Sequence, residues 1–511
     1  MNVRRRTFLL GSSALAALPY ARLAMAQETS ELRVRIDADI GSLDPGNRVG
    51  TVEDNIITAC CQMLVRFQPG ATEWTLDAAK DITKASETEY TFELNPGQMF
   101  SGGYGEMTAE DVKFSYDRFI HGDANGKTLA YADDLSAIDS VEVTGAYTGR
   151  ILLKHPSPAL WVTGLSDASG AILSKKAVEG LGDGINTTLI GSGRYSLTEW
   201  RPNAGHTLER NPDFAGVNPG SFNQIVARMI PEDQTAVLAF GAEEVDFTLF
   251  LPESLSQIEA VEGAEVIERE GIDYTWIGIN VEDPALADVR VRQAIRLSID
   301  VDAILVGAYG GFVGRARSLL APSLLGNWAD APTYAYDPAA ARALLDEAGV
   351  GTLDLTLTSL NDSQSLAVAQ IAQATLAAIG VNLTLNPLDP GAYWALGASD
   401  ASAGLQLALI PYSSKLDPSF QTQWFLSDQV GQWNWQRWKS EEFDQLHAEG
   451  TATTDTATRQ EIYVRMQQLL DESASCVWIT HGRLFFAKQD WLQPALMANG
   501  RSWRYENFAR A

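Results

Sequence analysis

The chain is 511 residues long and carries 65 acidic against 38 basic side chains, a formal net charge of −27. So acidic a balance argues against nucleic acid or an anionic membrane surface as partner, because both would be repelled at long range. Three cysteines, Cys60, Cys61 and Cys476, are too few to frame a chain of this size with disulfides and read as buried free thiols.

The first predicted element precedes the fold. Arg4-Arg5-Arg6, an apolar stretch through Leu18 and a small-x-small exit at Ala24-Met25-Ala26 mark residues 1–26 as a cleavable export signal. Its apolar middle falls well short of the roughly 18 residues of a spanning helix. The Arg5-Arg6-x-Phe8-Leu9 order resembles twin-arginine-type signal peptides, which export folded proteins. The mature remainder, about 485 residues, is long enough for two to four domains. No Cys stands at the cleavage site to carry a lipid anchor, and no later stretch has the apolar length of a membrane span. A periplasmic protein without stable membrane insertion is therefore expected.

Leu32-x-Val34-x-Ile36 alternates as a half-buried strand over Glu31–Asp37 and runs into a turn at Leu43-Asp44-Pro45-Gly46. A helix is expected over Asn55–Val65 and a strand over Glu89–Leu94. Thr108 with Asp111 forms a variant capping box that starts the next helix. Further strands follow at His206–Arg210, Val245–Phe247 and Tyr274–Asn280, with helices from Asp233 and Asp288. Helices at Pro338–Ala348, Ser365–Ile379 and Asp455–Glu472 alternate with strands at Leu353–Leu357 and Val381–Leu385. This mixture is α/β without repeats or low-complexity linkers, so its domains should be built from discontinuous stretches.

Catalytic constellations are absent. There is no Gly-x-Ser-x-Gly elbow and no phosphate-holding Gly-x-x-x-x-Gly-Lys loop. The five histidines show neither an i,i+4 pair nor cysteine neighbours at zinc spacing. Paired carboxylates are possible by number alone, so a secreted hydrolase acting on glycans or peptides stays as the alternative function. Trp433-Asn434-Trp435 would place two indoles on one face of an extended segment, fit either to stack on a ligand or to pack in a core.

Several blocks, in order, resemble the extracellular solute-binding proteins of the peptide/nickel class that serve ABC importers. They are Leu43-Asp44-Pro45, Tyr90–Leu94, Thr108–Tyr116, Gly191–Tyr195, Leu208–Pro212, Glu244-Val245-Asp246, Asn280, Asp288–Ile295, Ile299-Asp300 and Ala340–Gly349. The resemblance implies a two-lobed periplasmic binding protein fold of type II, in its large three-subdomain class, with a cleft between lobes. Lobe I would comprise 28–69, 188–267 and 484–511, with an extra subdomain at 70–187, and lobe II would be 268–483. The connections near Glu268–Tyr274 and His481–Phe485 would form the hinge. A peptide or similar small solute would be captured between the lobes and passed to the permease subunits by a monomeric protein without enzymatic activity, cofactor or metal.

Site residues follow from the same resemblance. Peptide-binding members hold the ligand's amino group with an Asp four residues before an acidic-Pro pair. Here that pair is Asp417-Pro418, and Ser414 occupies the position. A serine hydroxyl cannot neutralise an ammonium in a dry cleft. Lys415 beside it would suit a carboxylate or another anion, and Asp39 with Ile40, just after the first strand, would contact ligand from the other lobe. Tyr412, Trp435 and His481 complete the expected wall. Peptide, opine-like conjugate, oligosaccharide and organic anion all remain open as cargo.

Overall fold

The structure is a computed structural model that describes residues 30–511 apart from 71–73, 124, 217 and 398–399. The export signal assigned to residues 1–26 lies outside the described residues.

Three sheets carry the fold. The largest has seven strands in the order Tyr195–Arg201, Gly205–Arg210, Gln224–Met229, Glu31–Ile36, Phe247–Phe250, Arg483–Gln489 and Ala264–Glu270. The first strand sits near its middle, paired in parallel with Gln224–Met229 and Phe247–Phe250. Its alternating Leu32, Val34 and Ile36 are buried as their period requires. Arg35, on the opposite face, is buried too, and its guanidinium donates to the carbonyls of Ile230, Pro231 and Leu249.

A second body is built on five strands, ordered Val381–Leu388, Leu353–Leu360, Leu407–Tyr412, Tyr274–Ile279 and Cys476–Thr480. Helices Val289–Ser298 and Ser363–Ala377 bury aliphatic residues in one core cluster with this sheet. A second cluster against it is rich in aromatics, among them Tyr274, Trp276, Tyr412 and Trp435. Being covered on both faces explains why Tyr274–Ile279 reads as a continuous apolar run. A four-stranded antiparallel sheet, Ala79–Ser86, Glu89–Leu94, Thr148–Leu153 and Ile138–Val143, forms a smaller unit with helix Ala109–His121. The chain crosses between the seven- and five-stranded bodies at 271–273 and again at 481–482.

The residues recognisable in the sequence stitch these units together. Asp44 of the early turn receives two hydrogen bonds from Arg118, at 3.0 and 2.7 Å, and so ties that turn to helix Ala109–His121. The capping box at Thr108 is formed, with Asp111 accepting from the Thr108 backbone. Asn211 donates to the Gly193 carbonyl, and Asn280 to that of Leu405.

Two local expectations are corrected. The helix expected over Asn55–Val65 spans Thr51–Cys60 instead. It starts early because Glu53 reaches back to the Gly50 amide at 2.9 Å. It stops early because the Cys60 carbonyl is taken by the Gly193 amide at 2.8 Å, leaving no partner for another turn. The second correction is Trp433–Trp438, which is turns rather than an extended segment. Asn434 donates to the carbonyls of Phe425, Leu426 and Trp438 and wraps the chain around itself. The Trp433 and Trp435 rings still stack, 6.5 Å apart and 22° from parallel. All three cysteines are free and buried, and burial pushes the Cys61 and Cys476 thiols up to about 12.

Candidate functional site

The parallel strands Glu31–Ile36 and Phe247–Phe250 end in loops at the edge of a cavity of about 210 Å³. Crevices beyond the carboxyl ends of parallel strands are where α/β sheets bind ligands, since loops there diverge and leave space. Arg35, Asp37, Asp39, Glu53, Arg501 and Trp503 line this one. Arg501 Nη1 lies 3.9 Å from the Asp273 carboxylate on the 271–273 crossing, which links the cavity to the junction of the two large bodies.

Asp39 lines the cavity, but its carboxylate is already engaged. Burial would raise its pKa, yet donors from the Asn203 amide, the Trp200 indole and its neighbour Ile40 outweigh that and hold it below the usual value. It is thus a fixed anion that shapes the loop. Ile40 packs in the core of the seven-stranded body and does not line the cavity.

The remaining expected residues gather around the other side of the junction. Ser414 donates its backbone N–H to Asp273 at 2.9 Å, and the Gln421 amide donates to its hydroxyl. His481 Nδ1 lies 3.3 Å from the Asp273 carbonyl, and burial pushes its pKa down to about 4, so the ring is neutral at pH 7. Tyr412 donates its hydroxyl to the Trp433 carbonyl at 2.9 Å and meets Trp276 edge-on. Trp435 stands one layer behind. It is 1% exposed and packs edge-on against Tyr393 within the core. Lys415 is paired with Asp134 of the four-stranded unit, so its ammonium is not free for a ligand anion. A second cavity, about 240 Å³, lies beside that pair between Asp134, His155, Phe420, Trp424 and His447.

Sequence reasoning missed Asp273, Arg501 and Arg35. Only Arg35 left a signal, a charge inside a strand flanked by buried positions. Asp273 and Arg501 are separated by more than two hundred residues, and the fold alone brings them together. The acidic-Pro pair itself is structural: Asp417 is 2% exposed and bound by Arg459 Nη2 at 2.9 Å to each oxygen. Among the described residues no cluster of His, Cys, Asp and Glu could hold a metal, and no helix is long and apolar enough to cross a membrane.

Two α/β bodies joined by a double crossing define the fold class of two-lobed periplasmic binding proteins. DppA of Helicobacter pylori, solved with the peptide STSA, superposes with a TM-score of 0.77 at 22% identity, over 94% of this chain and 98% of that one. Residues 72–433 match the bacterial extracellular solute-binding proteins, family 5, and the chain belongs to that family. It is 31% identical over 329 residues to an ABC transporter peptide-binding protein of Brucella ovis, and spans 61% of that relative's length. It is 23% identical over 463 residues to the dipeptide-binding protein of Escherichia coli, covering 85% of this chain and 86% of that one. Members of this family bind solutes rather than transform them.

Proposed function

We propose that this protein is the periplasmic substrate-binding component of an ABC importer, and that it captures a peptide or similar small polar solute between two lobes. Lobe I would comprise 28–69, 188–267 and 484–511, with 70–187 as an added subdomain, and lobe II would be 268–483. The crossings at 271–273 and 481–482 serve as the hinge. The observation that carries the reading is the cavity at the strand ends of the seven-stranded body, whose lining residue Arg501 lies 3.9 Å from Asp273 on the 271–273 crossing. A ligand spanning both bodies stabilises only the closed arrangement, and closure gives the permease subunits a surface to recognise. The peptide-binding relatives favour a peptide cargo. The leader at 1–26 would deliver the folded monomer to the periplasm.

The test is a thermal-shift and tryptophan-fluorescence screen of the mature protein against di- to pentapeptides, with free and acetylated N-termini. Binding raises the midpoint in proportion to RT ln(1 + [L]/Kd). Recovery of the bound peptide unchanged supports the proposal. Turnover of the peptide, or no shift with any peptide at millimolar concentration, overturns it.

A further inference from the structure

Lys415 leaves the five-stranded body just past Tyr412 and reaches the four-stranded unit, where its ammonium pairs with Asp134, a side chain 6% exposed. The pair is sheltered by aromatic rings. The Lys415 Nζ lies 5.7 Å from the Tyr131 ring centre and 5.2 Å from that of Phe420.

Asp134 belongs to a larger cluster. It accepts from Ser169 Oγ at 2.6 Å and lies 3.4 Å from Arg48 Nη2. Arg48 is almost fully buried, pairs with Asp54, donates to Ser169 and stacks on Tyr131 at 3.6 Å. Arg504, equally buried, lies 3.4 Å from Asp167. Burial alone would raise the Asp167 pKa, but Arg504, Arg48 and Lys415 together hold it below the usual value. The seven-stranded body and the four-stranded unit thus contribute three carboxylates, Asp54, Asp134 and Asp167, and two guanidiniums. The third cation, Lys415, comes from the opposite body.

We propose that Lys415 is a positioning residue for closure: its ammonium completes the charge of the Asp54–Asp134–Asp167 cluster when the bodies meet. Separating the bodies leaves the cluster one positive charge short in a partly dry site, where an uncompensated charge is costly. The closed arrangement is therefore favoured by charge pairing, whatever the ligand contributes. A second contact across the same junction, Thr454 Oγ1 to Glu87 at 3.4 Å, is exposed and adds little. The inference rests on the closure described above, but not on the identity of the cargo.

Small-angle X-ray scattering of the ligand-free mature protein tests it, comparing wild type with Lys415→Gln, Asp134→Asn, the double variant and Lys415→Arg. Close charge pairs across interfaces are coupled strongly enough that either single change should move the closed-to-open ratio at least about tenfold toward open. A larger radius of gyration reports this shift. The double variant should open no further than either single one, and Lys415→Arg should stay compact. Raising salt should open the wild type and leave Lys415→Gln unmoved, which a purely structural role would not produce. The proposal fails if Lys415→Gln is as compact as wild type, or if the double variant opens by the sum of the singles. A protein that bound no peptide would give the same scattering comparison, so the two readings fail separately.

Discussion

His206 offers a measurement of how dry the seven-stranded body is. It sits in the strand Gly205–Arg210, 3% exposed, with neither ring nitrogen hydrogen-bonded and the Tyr505 ring edge-on at 6.4 Å. Burial pushes its pKa down from 6.5 to about 4, with only a weak opposing pull from Asp39. The folded protein therefore holds the neutral ring, whereas the unfolded chain takes up a proton near pH 6.5. Stability from this residue is complete above pH 6.5 and is lost as pH falls from there toward 4. Between pH 7 and pH 5 the loss works out at about 2 kcal/mol. The perturbation is His206→Phe, which keeps a ring in place and gives up no hydrogen bond. At pH 7 the variant should match or slightly exceed wild type. At pH 5 it should lead by about 2 kcal/mol, or about 4–8 °C in the midpoint of a unit this size. Thermal unfolding followed by circular dichroism at both pH values decides the matter. Parallel pH dependence of the two proteins would refute the reasoning, because the histidine would then be charged, or solvated, in the fold.

Asp417→Asn should cost about 3–5 kcal/mol in denaturant unfolding, because it leaves the buried Arg459 guanidinium unpaired; a loss under about 1 kcal/mol would contradict the buried pair. Gly191→Ala should lower stability by about 1–3 kcal/mol or more, since a Cβ there would overlap the Cys60 carbonyl oxygen. Gly180→Ala, in helix Lys175–Leu181 with open space around it, should raise stability by about 0.5–1 kcal/mol and serves as the contrast in the same thermal assay.

Most of the secondary structure was legible because its signals are local. Alternation at Leu32, Val34 and Ile36 and the cap at Thr108 need no knowledge of distant residues, and both are present in the fold. The family blocks were legible for a related reason. Asp44, Asn211 and Asn280 hold turns and junctions by hydrogen bonds that a substitution would leave unpaired. The site was far less readable. Asp273 lies between two apolar residues with nothing to distinguish it, and Arg501 reaches it only through the path of the C-terminal segment. Trp433-Asn434-Trp435 shows the limit of periodicity. Alternation foresaw two indoles side by side, but not the three carbonyls that Asn434 gathers to bend the segment into turns.

The stretch 70–187, which we propose as an inserted subdomain, is wired into its host rather than hung upon it. Four ion pairs, Arg66 with Asp77, Arg118 with Asp44, Arg48 with Asp134 and Arg504 with Asp167, each take one member from the insertion and one from the surrounding body. Excising it to make a minimal scaffold would remove one partner from each pair: Arg504 and Asp44 would lose the ion pairs described here, whereas Arg48 and Arg66 would keep Asp54 and Glu506. Grafting it onto another scaffold would strand their four counterparts. For anyone recombining such proteins, the exchangeable unit is therefore the host body and its insertion together.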